Sequence, residues 1–416
     1  MLTSMHLLLI HQNFPGQFRE LAPAWLRAGN KITGIGNPDN PPSGDQWANL
    51  RYLSYGFTDQ SGHPHPSPSP LERGQAVGDL CRLLMQSNDP PDLVLTHSGW
   101  GEALMLRQSI GTTPLVVYPE LWATAEALGV GFDSQMLLPE GGAPGAGSEL
   151  QHQLAIQNLI TELAISQADV AVIPSRSQRH SFPLALQAKL ELLPDGVDTE
   201  RLRPNPSTSF DLAGVGFIHP GDLVVTLVSR QLEPLRGLRE LLRAWPQINK
   251  EHPQARLVLV GGTARGYGVE PPHGDSHIGD ALSALSPDDG RDRVHVLGRL
   301  PYEQLITLLQ CSICHVGLSY PYTLSWSLTE AMSCGAPLIT NHGSPLAAYI
   351  EPGKNGLLVP FNDTDALVQA VGHLLSNPSG ARAIGLRGRE TVKEQFSLSL
   401  AIELYNALFH RLVASR

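Results

Sequence analysis

The feature that most constrains this chain is a series of short runs that are apolar on both faces, each bounded by Gly, Pro, Asn or Asp. In the first half these are Met5–Ile10, Lys31–Ile35, Asp92–Thr96, Pro114–Tyr118, Asp169–Ile173 and Lys189–Leu193. In the second half they are Asp222–Val228, Ala255–Val260, Arg293–Leu297, Ile313–Leu318, Pro337–Thr340 and Gly356–Val359. Successive strand residues point to opposite faces, so such runs need cover on both sides, as in a parallel sheet flanked by helices. Segments with helical spacing, among them Arg19–Ala28, Glu149–Ser166, Leu238–Ile248 and Asp365–Leu375, supply that cover. The pattern predicts an α/β protein of two doubly wound parallel-sheet domains.

A length of 416 residues accommodates two such domains. The most linker-like stretch runs from Arg203-Pro-Asn-Pro-Ser to Gly221, which puts the boundary near 212: a first domain over 1–212 and a second over 213–395. Leu398–Val413 has helical spacing of Leu, Ile and Phe, so a C-terminal helix within 396–416 is expected that could pack across either domain, the first among them. Gln60–Pro70 and Pro139–Gly147 read as low-complexity loops.

Composition narrows the function classes. Hydrophobic residues make up 42% and charged residues 16%, which excludes a mainly disordered chain. The net charge of −10 argues against a nucleic-acid binder held by a broad basic face. Residues 1–210 carry 12 basic and 20 acidic side chains, whereas 211–416 carry 17 and 19, so an anionic ligand meets less repulsion in the second half. The four cysteines make no disulfide framework, which favours a reducing, cytoplasmic setting. Cys311 and Cys314 have redox spacing, but their apolar surroundings read as a buried strand. The apolar run before His11 is too short for a signal peptide or a membrane span.

Several constellations sit where α/β sheets bind ligands, just past strand ends. The first strand leads into His11-Gln-Asn-Phe-Pro-Gly16-Gln-Phe, so Gly16 reads either as a phosphate cradle at a helix start or as a simple strand-to-helix turn. Arg230 and Arg236 follow the strand Asp222–Val228; they suit diphosphate oxygens, or else cap and solvate the next helix. Gly261 and Gly262 close the following strand, open to a base or ribose or simply turning the chain. Pro321-Tyr322-Thr323-Leu324-Ser325 feeds a helix that carries Glu330, whose alternative reading is a capping box with Ser327. His97 and Glu120 follow two successive strands of the first domain, as structural residues or as titratable partners. No paired-Cys, H-x-x-H or H-E-x-x-H spacing for a metal stands out, nor a G-x-S-x-G elbow, nor the G-x-G-x-x-G fingerprint of a dinucleotide-dependent oxidoreductase.

Taken together, HQNFPGQF (11–18), THSGWGE (96–102), PDGVDTERLR (194–203), SRQLEPLRG (229–237), VHVLGRLP (294–301) and SWSLTEAMSCG (325–335) resemble the retaining glycosyltransferases of family 4. The likeness spans nearly the whole chain and implies the GT-B architecture, two Rossmann-like domains facing a cleft. It implies that the first domain is the acceptor side and the second binds the nucleotide-sugar donor. On it, Arg230 and Arg236 hold the donor diphosphate, Arg236 standing where the family usually has Lys. Glu330 matches the second Glu of the E-x7-E signature, which contacts the ribose. Tyr322 falls at the first Glu, which reads the donor sugar, giving a P-Y-T-L-S-W-S variant. Thr323, Leu324, Ser325, Gly261 and Gly262 complete the donor side; Gly16, His97 and Glu120 lie at the glycine loop and acceptor side.

The resemblance implies metal-independent transfer of a sugar from a nucleotide diphosphate to an acceptor hydroxyl with retention. It calls for no cofactor beyond the donor substrate. The implied partners are a nucleotide sugar and a carbohydrate or other hydroxyl compound; peripheral membrane association stays open. Rival readings are a nucleotide-sugar-binding partner that lacks turnover, because Tyr322 supplies no carboxylate, and a sugar-nucleotide epimerase on the same fold.

Overall fold

The computed structural model describes residues 4–39, 41–56, 68–135, 146–264, 266 and 276–415. The chain forms two compact units: Met1–Ala123 with Gly147–Gly196 and Leu398–Arg416, and Thr124–Ala146 with Val197–Ser397.

In the first unit the described elements run β1 (His6–Ile10), α1 (Leu21–Arg27), β2 (Lys31–Gly36), β3 (Leu50–Ser54), α2 (Pro70–Met85), β4 (Leu93–His97), α3 (Leu106–Ile110), β5 (Leu115–Tyr118), α4 (Ala146–Gln167), β6 (Val170–Ile173), α5 (Arg176–Ser181), α6 (Leu184–Gln187) and β7 (Leu190–Leu192). The strands pair in parallel in the order β3-β2-β1-β4-β5-β6-β7. Every residue of β1 is buried, as its unbroken apolar run requires at the sheet centre. β3 escapes the sequence reading because Leu-Arg-Tyr-Leu-Ser alternates rather than running apolar, as suits an edge strand. α2 starts on a capping box, with Ser69 and Glu72 each satisfying the other's backbone N–H and Pro70 at the first helical position.

The second unit continues with β8 (Phe210–Leu212), β9 (Gly216–Ile218), β10 (Val224–Gln231), α7 (Leu238–Glu251), β11 (Arg256–Gly262), α8 (His277–Ser283), β12 (Val294–Val296), α9 (Tyr302–Cys311), β13 (Cys314–Val316), α10 (Trp326–Ser333), β14 (Leu338–Asn341), β15 (Leu357–Val359), α11 (Thr364–Ser376) and α12 (Pro378–Phe396). Its parallel sheet has the order β12-β11-β10-β13-β14-β15. Leu238, Leu241, Leu242, Trp245 and Ile248 recur at helical spacing and bury one face of α7 against it.

α13 (Leu398–Ala414) belongs to the first unit, where Tyr405 and Phe409 close on Trp25 at centroid distances of 5.7 and 5.3 Å. The stretch read as linker, Arg203–Gly221, instead contains the antiparallel hairpin β8–β9 in the second unit. Phe210, Leu212 and Ile218 are buried there, a short alternation masked in the sequence by the surrounding Pro, Asn, Ser and Gly. The low-complexity segments Gln60–Pro70 and Pro139–Gly147 fall mainly outside the described residues; α2 and α4 begin at their ends. Cys311 and Cys314 do not share a strand, since one closes α9 and the other opens β13; both are buried. Burial pushes the Cys311 thiol up to about 11, which makes it a poor nucleophile at neutral pH.

Candidate active site

Each sheet reverses its strand order once, and side chains that follow the flanking strands meet at that point. In the second unit the reversal lies between β10 and β13. Arg230 is exposed at the end of β10, and Arg236 ends the turn that leads into α7. Arg236 donates from Nη1 to Ser319 Oγ (2.9 Å) and to the Thr323 carbonyl (3.4 Å). Its guanidinium carbon lies 5.9 Å from the centre of the Tyr322 ring. These contacts join the loop after β10 to the loop after β13.

That second loop is itself pinned. The Ser319 N–H donates to Asn341 Oδ1 (2.7 Å), and Asn341 Nδ2 donates back to the Ser319 carbonyl (3.0 Å). Tyr320 donates to Asp133 Oδ2 (2.6 Å), and Asp133 also pairs with Arg239. Burial, with Asp133 beside it, pushes the Tyr320 phenol far up, so it remains a donor. Leu324 and Thr323 are buried, and Ser325 caps α10 in extended backbone without a side-chain cap bond.

Glu330 lies in the middle of α10 with only 4% of its surface exposed. The capping box with Ser327 does not form: the Ser325 and Ser327 hydroxyls bond to each other (2.9 Å), and Glu330 Oε1 accepts from the Tyr302 hydroxyl (2.9 Å). Tyr302 starts α9, and the Arg201 guanidinium sits over its ring at 4.6 Å. Sequence reasoning misses Tyr302 and Ser319, which hold Glu330 and Arg236, and Asn341, which in turn holds Ser319. Tyr302 directly follows the VHVLGRLP block, the one local signal for it.

Gly261 and Gly262 are occupied with chain packing. A Cβ on Gly261 would lie 2.5 Å from the Ser229 carbonyl oxygen, and one on Gly262 would strike the Gln231 side chain. With its amide oriented to satisfy both neighbours, Gln231 donates to the Gly262 carbonyl (3.1 Å) and accepts from Arg299 (3.0 Å).

In the first unit the reversal lies between β1 and β4. His11 follows β1, His97 ends β4, and Glu120 stands two residues past β5. His97 contacts Glu120 from Nε2 to Oε2 at 3.1 Å and stacks on Trp100 with centroids 4.3 Å apart. Gln17 Nε2 donates to Glu120 Oε1 (3.0 Å), while His11 Nε2 meets Gln17 Oε1 at 2.5 Å. Burial above all, then the neighbouring His97, holds the His11 pKa well below the ordinary value. Gly16 opens a single 3-10 turn ahead of α1 and has φ of +50°. A Cβ there would lie 2.2 Å from His11 Nε2, so the missing side chain makes room for the imidazole. Glu120, with φ of +60°, is the one non-glycine at positive φ among the described residues, and its carbonyl accepts from Gln178 Nε2 (2.7 Å). Sequence reasoning assigns no role to His11 or Gln17, although both lie in the HQNFPGQF block.

Beneath this group Glu102 is fully buried, and burial raises its carboxyl pKa. Its Oε1 accepts from the Tyr55 hydroxyl (3.2 Å) and faces Arg73 at 4.0 Å. Among the described residues, no group of three or more His, Cys, Asp or Glu is placed to hold a metal ion. None of the described helices is long and apolar enough to cross a membrane.

The two parallel sheets and their strand orders define a chain of the GT-B class, and solved structures bear this out. Sucrose-phosphate synthase from Thermosynechococcus elongatus superposes with a TM-score of 0.74 at 19% identity, over 99% of this chain and 100% of that one. Anabaena HepE in complex with UDP-glucose superposes at 0.68 and 16% identity, over 99% of this chain and 100% of that one. Residues 30–202 match the family model described as Glycosyl transferase family 4 group, and residues 217–391 the model described as Glycosyl transferases group 1. The chain therefore carries one glycosyltransferase-family domain in each half. Among curated relatives, a GDP-mannose-dependent alpha-(1-6)-phosphatidylinositol monomannoside mannosyltransferase from Mycolicibacterium smegmatis is 31% identical over 235 residues, covering 54% of this chain. The chain spans 57% of that relative's length.

Proposed function

We propose that the chain is a retaining glycosyltransferase that moves a sugar from a nucleotide-diphosphate sugar to an acceptor hydroxyl without a metal. The observation that carries this reading is Arg236, fixed to Ser319 and Thr323 beside Tyr322 where the strand order of the second unit reverses. The planar fork of a guanidinium there can donate to two oxygens of a diphosphate, and Arg230 at the end of β10 adds a second positive charge. Glu330, oriented by Tyr302, offers a carboxylate to ribose hydroxyls. The dependence of one relative on GDP-mannose, and the UDP-glucose bound by one structural neighbour, support a nucleotide sugar and leave the base open.

In this reaction the bond from the anomeric carbon to the diphosphate breaks as the acceptor oxygen bonds to the same face. The acceptor proton passes to a departing phosphate oxygen. Arg230 and Arg236 stabilise the charge that develops on the leaving group, a task usually worth about 3 kcal/mol per well-placed donor. His97 and Glu120 orient the acceptor. Tyr322 reads the donor sugar through its hydroxyl, in the position where a carboxylate is usual.

The test is donor turnover across UDP- and GDP-sugars, with product configuration read by NMR and with a chelator present. We expect retention and activity in the chelator. Arg230→Ala and Glu330→Ala should each lower kcat/KM for the donor by roughly a hundredfold, the scale of one lost transition-state contact. Normal turnover in both variants would contradict the assignment. A second reading, nucleotide-sugar binding without turnover, is favoured by the phenol of Tyr322 in place of a carboxylate. Saturable nucleotide binding with no product across a broad acceptor panel would decide for it.

A further inference from the structure

The hydrogen bonds around Glu120 have only one possible polarity. A backbone N–H can only donate, and the amides of Asn13 and Gly99 donate to Nδ1 of His11 (2.9 Å) and of His97 (3.1 Å). Each Nδ1 is therefore an unprotonated acceptor, and each neutral imidazole carries its proton on Nε2. His11 Nε2–H then donates to Gln17 Oε1, which turns the Gln17 amide nitrogen toward Glu120 Oε1. His97 Nε2–H donates to Glu120 Oε2. Two chains of donors thus end on the two oxygens of one carboxylate, one starting at the backbone of Asn13 and the other at the backbone of Gly99.

The carboxylate belongs to a residue held in a costly conformation. A non-glycine in the left-handed region costs on the order of 1–3 kcal/mol and persists where its surroundings enforce it. Here the Gln178 amide anchors the Glu120 carbonyl, and the Glu120 side chain retains 29% of its exposure. A carboxylate oxygen accepts about two hydrogen bonds. With one taken on each oxygen by the described residues, each keeps one acceptor position toward them.

We propose that Gln17 and His11 are positioning residues that aim Glu120, and that Glu120 receives two neighbouring hydroxyls of an uncharged polyol. The inference rests on the transferase reading, in which that polyol is the acceptor. Two adjacent acceptor oxygens fit two adjacent hydroxyl donors. The anionic carboxylate, flanked by a neutral amide and an imidazole whose proton it already receives, repels a phosphate or carboxylate at the same place. A glutamate at position 17 would set two carboxylates against each other, so the amide is the side chain that both accepts from His11 and donates to Glu120.

The test follows the imidazole 15N resonances of His11 and His97 in the full chain while D-glucose or inorganic phosphate is added, with and without UDP or GDP. Both histidines should show the Nε2–H tautomer. Glucose should shift the His97 signal saturably, and phosphate should not. Gln17→Met, which keeps the bulk, and Gln17→Glu, which reverses the donor, should each weaken glucose binding about tenfold or more, the scale of one charge-assisted hydrogen bond. Melting temperature and nucleoside diphosphate affinity should stay as in the parent chain. No glucose response, an equal response to phosphate, or parental glucose binding in Gln17→Met would overturn the proposal. Nucleotide binding is read from the same samples: its loss alongside an intact, Gln17-dependent glucose response would sink the donor reading and leave this one standing.

Discussion

The hydroxyl of Tyr302, the first residue of α9, donates to the carboxylate of Glu330 in the middle of α10 over 2.9 Å. Two successive helices, separated by β13, thereby fix one acidic side chain, with Arg201 packed over the phenol ring. If Glu330 holds the donor ribose, Tyr302 acts through it. Tyr302→Phe keeps the ring and removes the donor, so nucleotide affinity should fall about tenfold, as expected for one hydrogen bond to a charged group. Calorimetric titration with UDP and GDP measures it, and unaltered affinity for whichever nucleotide the parent chain binds would remove Tyr302 from the site.

Arg236 tests whether the fork or the charge matters. Its Nη1 spans Ser319 Oγ and the Thr323 carbonyl, an arrangement that a lysine ammonium cannot reproduce while also facing a diphosphate. Arg236→Lys should lower kcat/KM for the donor about tenfold and Arg236→Ala about a hundredfold. Equal losses in the two variants would show that the guanidinium geometry, and not the charge, carries the effect.

Gly16→Ala combines backbone strain with a collision against the His11 ring. Gly29, at φ of +89°, isolates the strain alone, because a Cβ there would meet nothing within 4 Å. Urea unfolding should show Gly16→Ala losing about 2 kcal/mol more than Gly29→Ala, the usual scale of overpacking. The same variant should displace His11 and, through Gln17, weaken whatever Glu120 binds.

His315 lies fully buried in β13, with Nδ1 against the Thr226 hydroxyl at 2.8 Å, and burial lowers its pKa to about 3. The unfolded chain takes up this proton near pH 6.5, whereas the fold resists it until about pH 3. The unfolded state thus binds more protons within that window, so the contribution is complete above pH 6.5 and is lost as pH falls toward 3. His6, His11 and His295 are shifted in the same direction, so the parent chain has a compound slope. His315→Gln should flatten it, which urea midpoints between about pH 4 and 7 will show.

Much of the fold was legible because burial on both faces leaves an uninterrupted apolar signature. Each of the twelve expected runs overlaps a strand of the two parallel sheets. The edge strand β3 and the hairpin β8–β9 were not legible, because strands that bury one face alternate, and over three to five residues alternation is weak against neighbouring Pro and Gly. At the candidate site, Arg230, Arg236, Tyr322 and Glu330 stood out by their place after strands and in motif blocks. Their supports Ser319 and Asn341 lie in no motif block, and Tyr302 only adjoins one, since a hydrogen bond between separate segments leaves no pattern of its own in the sequence.

The sequence by itself determined the two α/β units, through the period of its apolar residues, and the residue types offered at the strand ends, through spacing. Tertiary structure alone decided which way those side chains are held. It turned Glu330 from a capping partner of Ser327 toward Tyr302, filled the space beside Gly16 with the His11 ring, and set Gln17 between His11 and Glu120. The physical reason is that pattern fixes burial, whereas the direction of a hydrogen bond depends on which donors and acceptors the folded chain brings within about 3 Å.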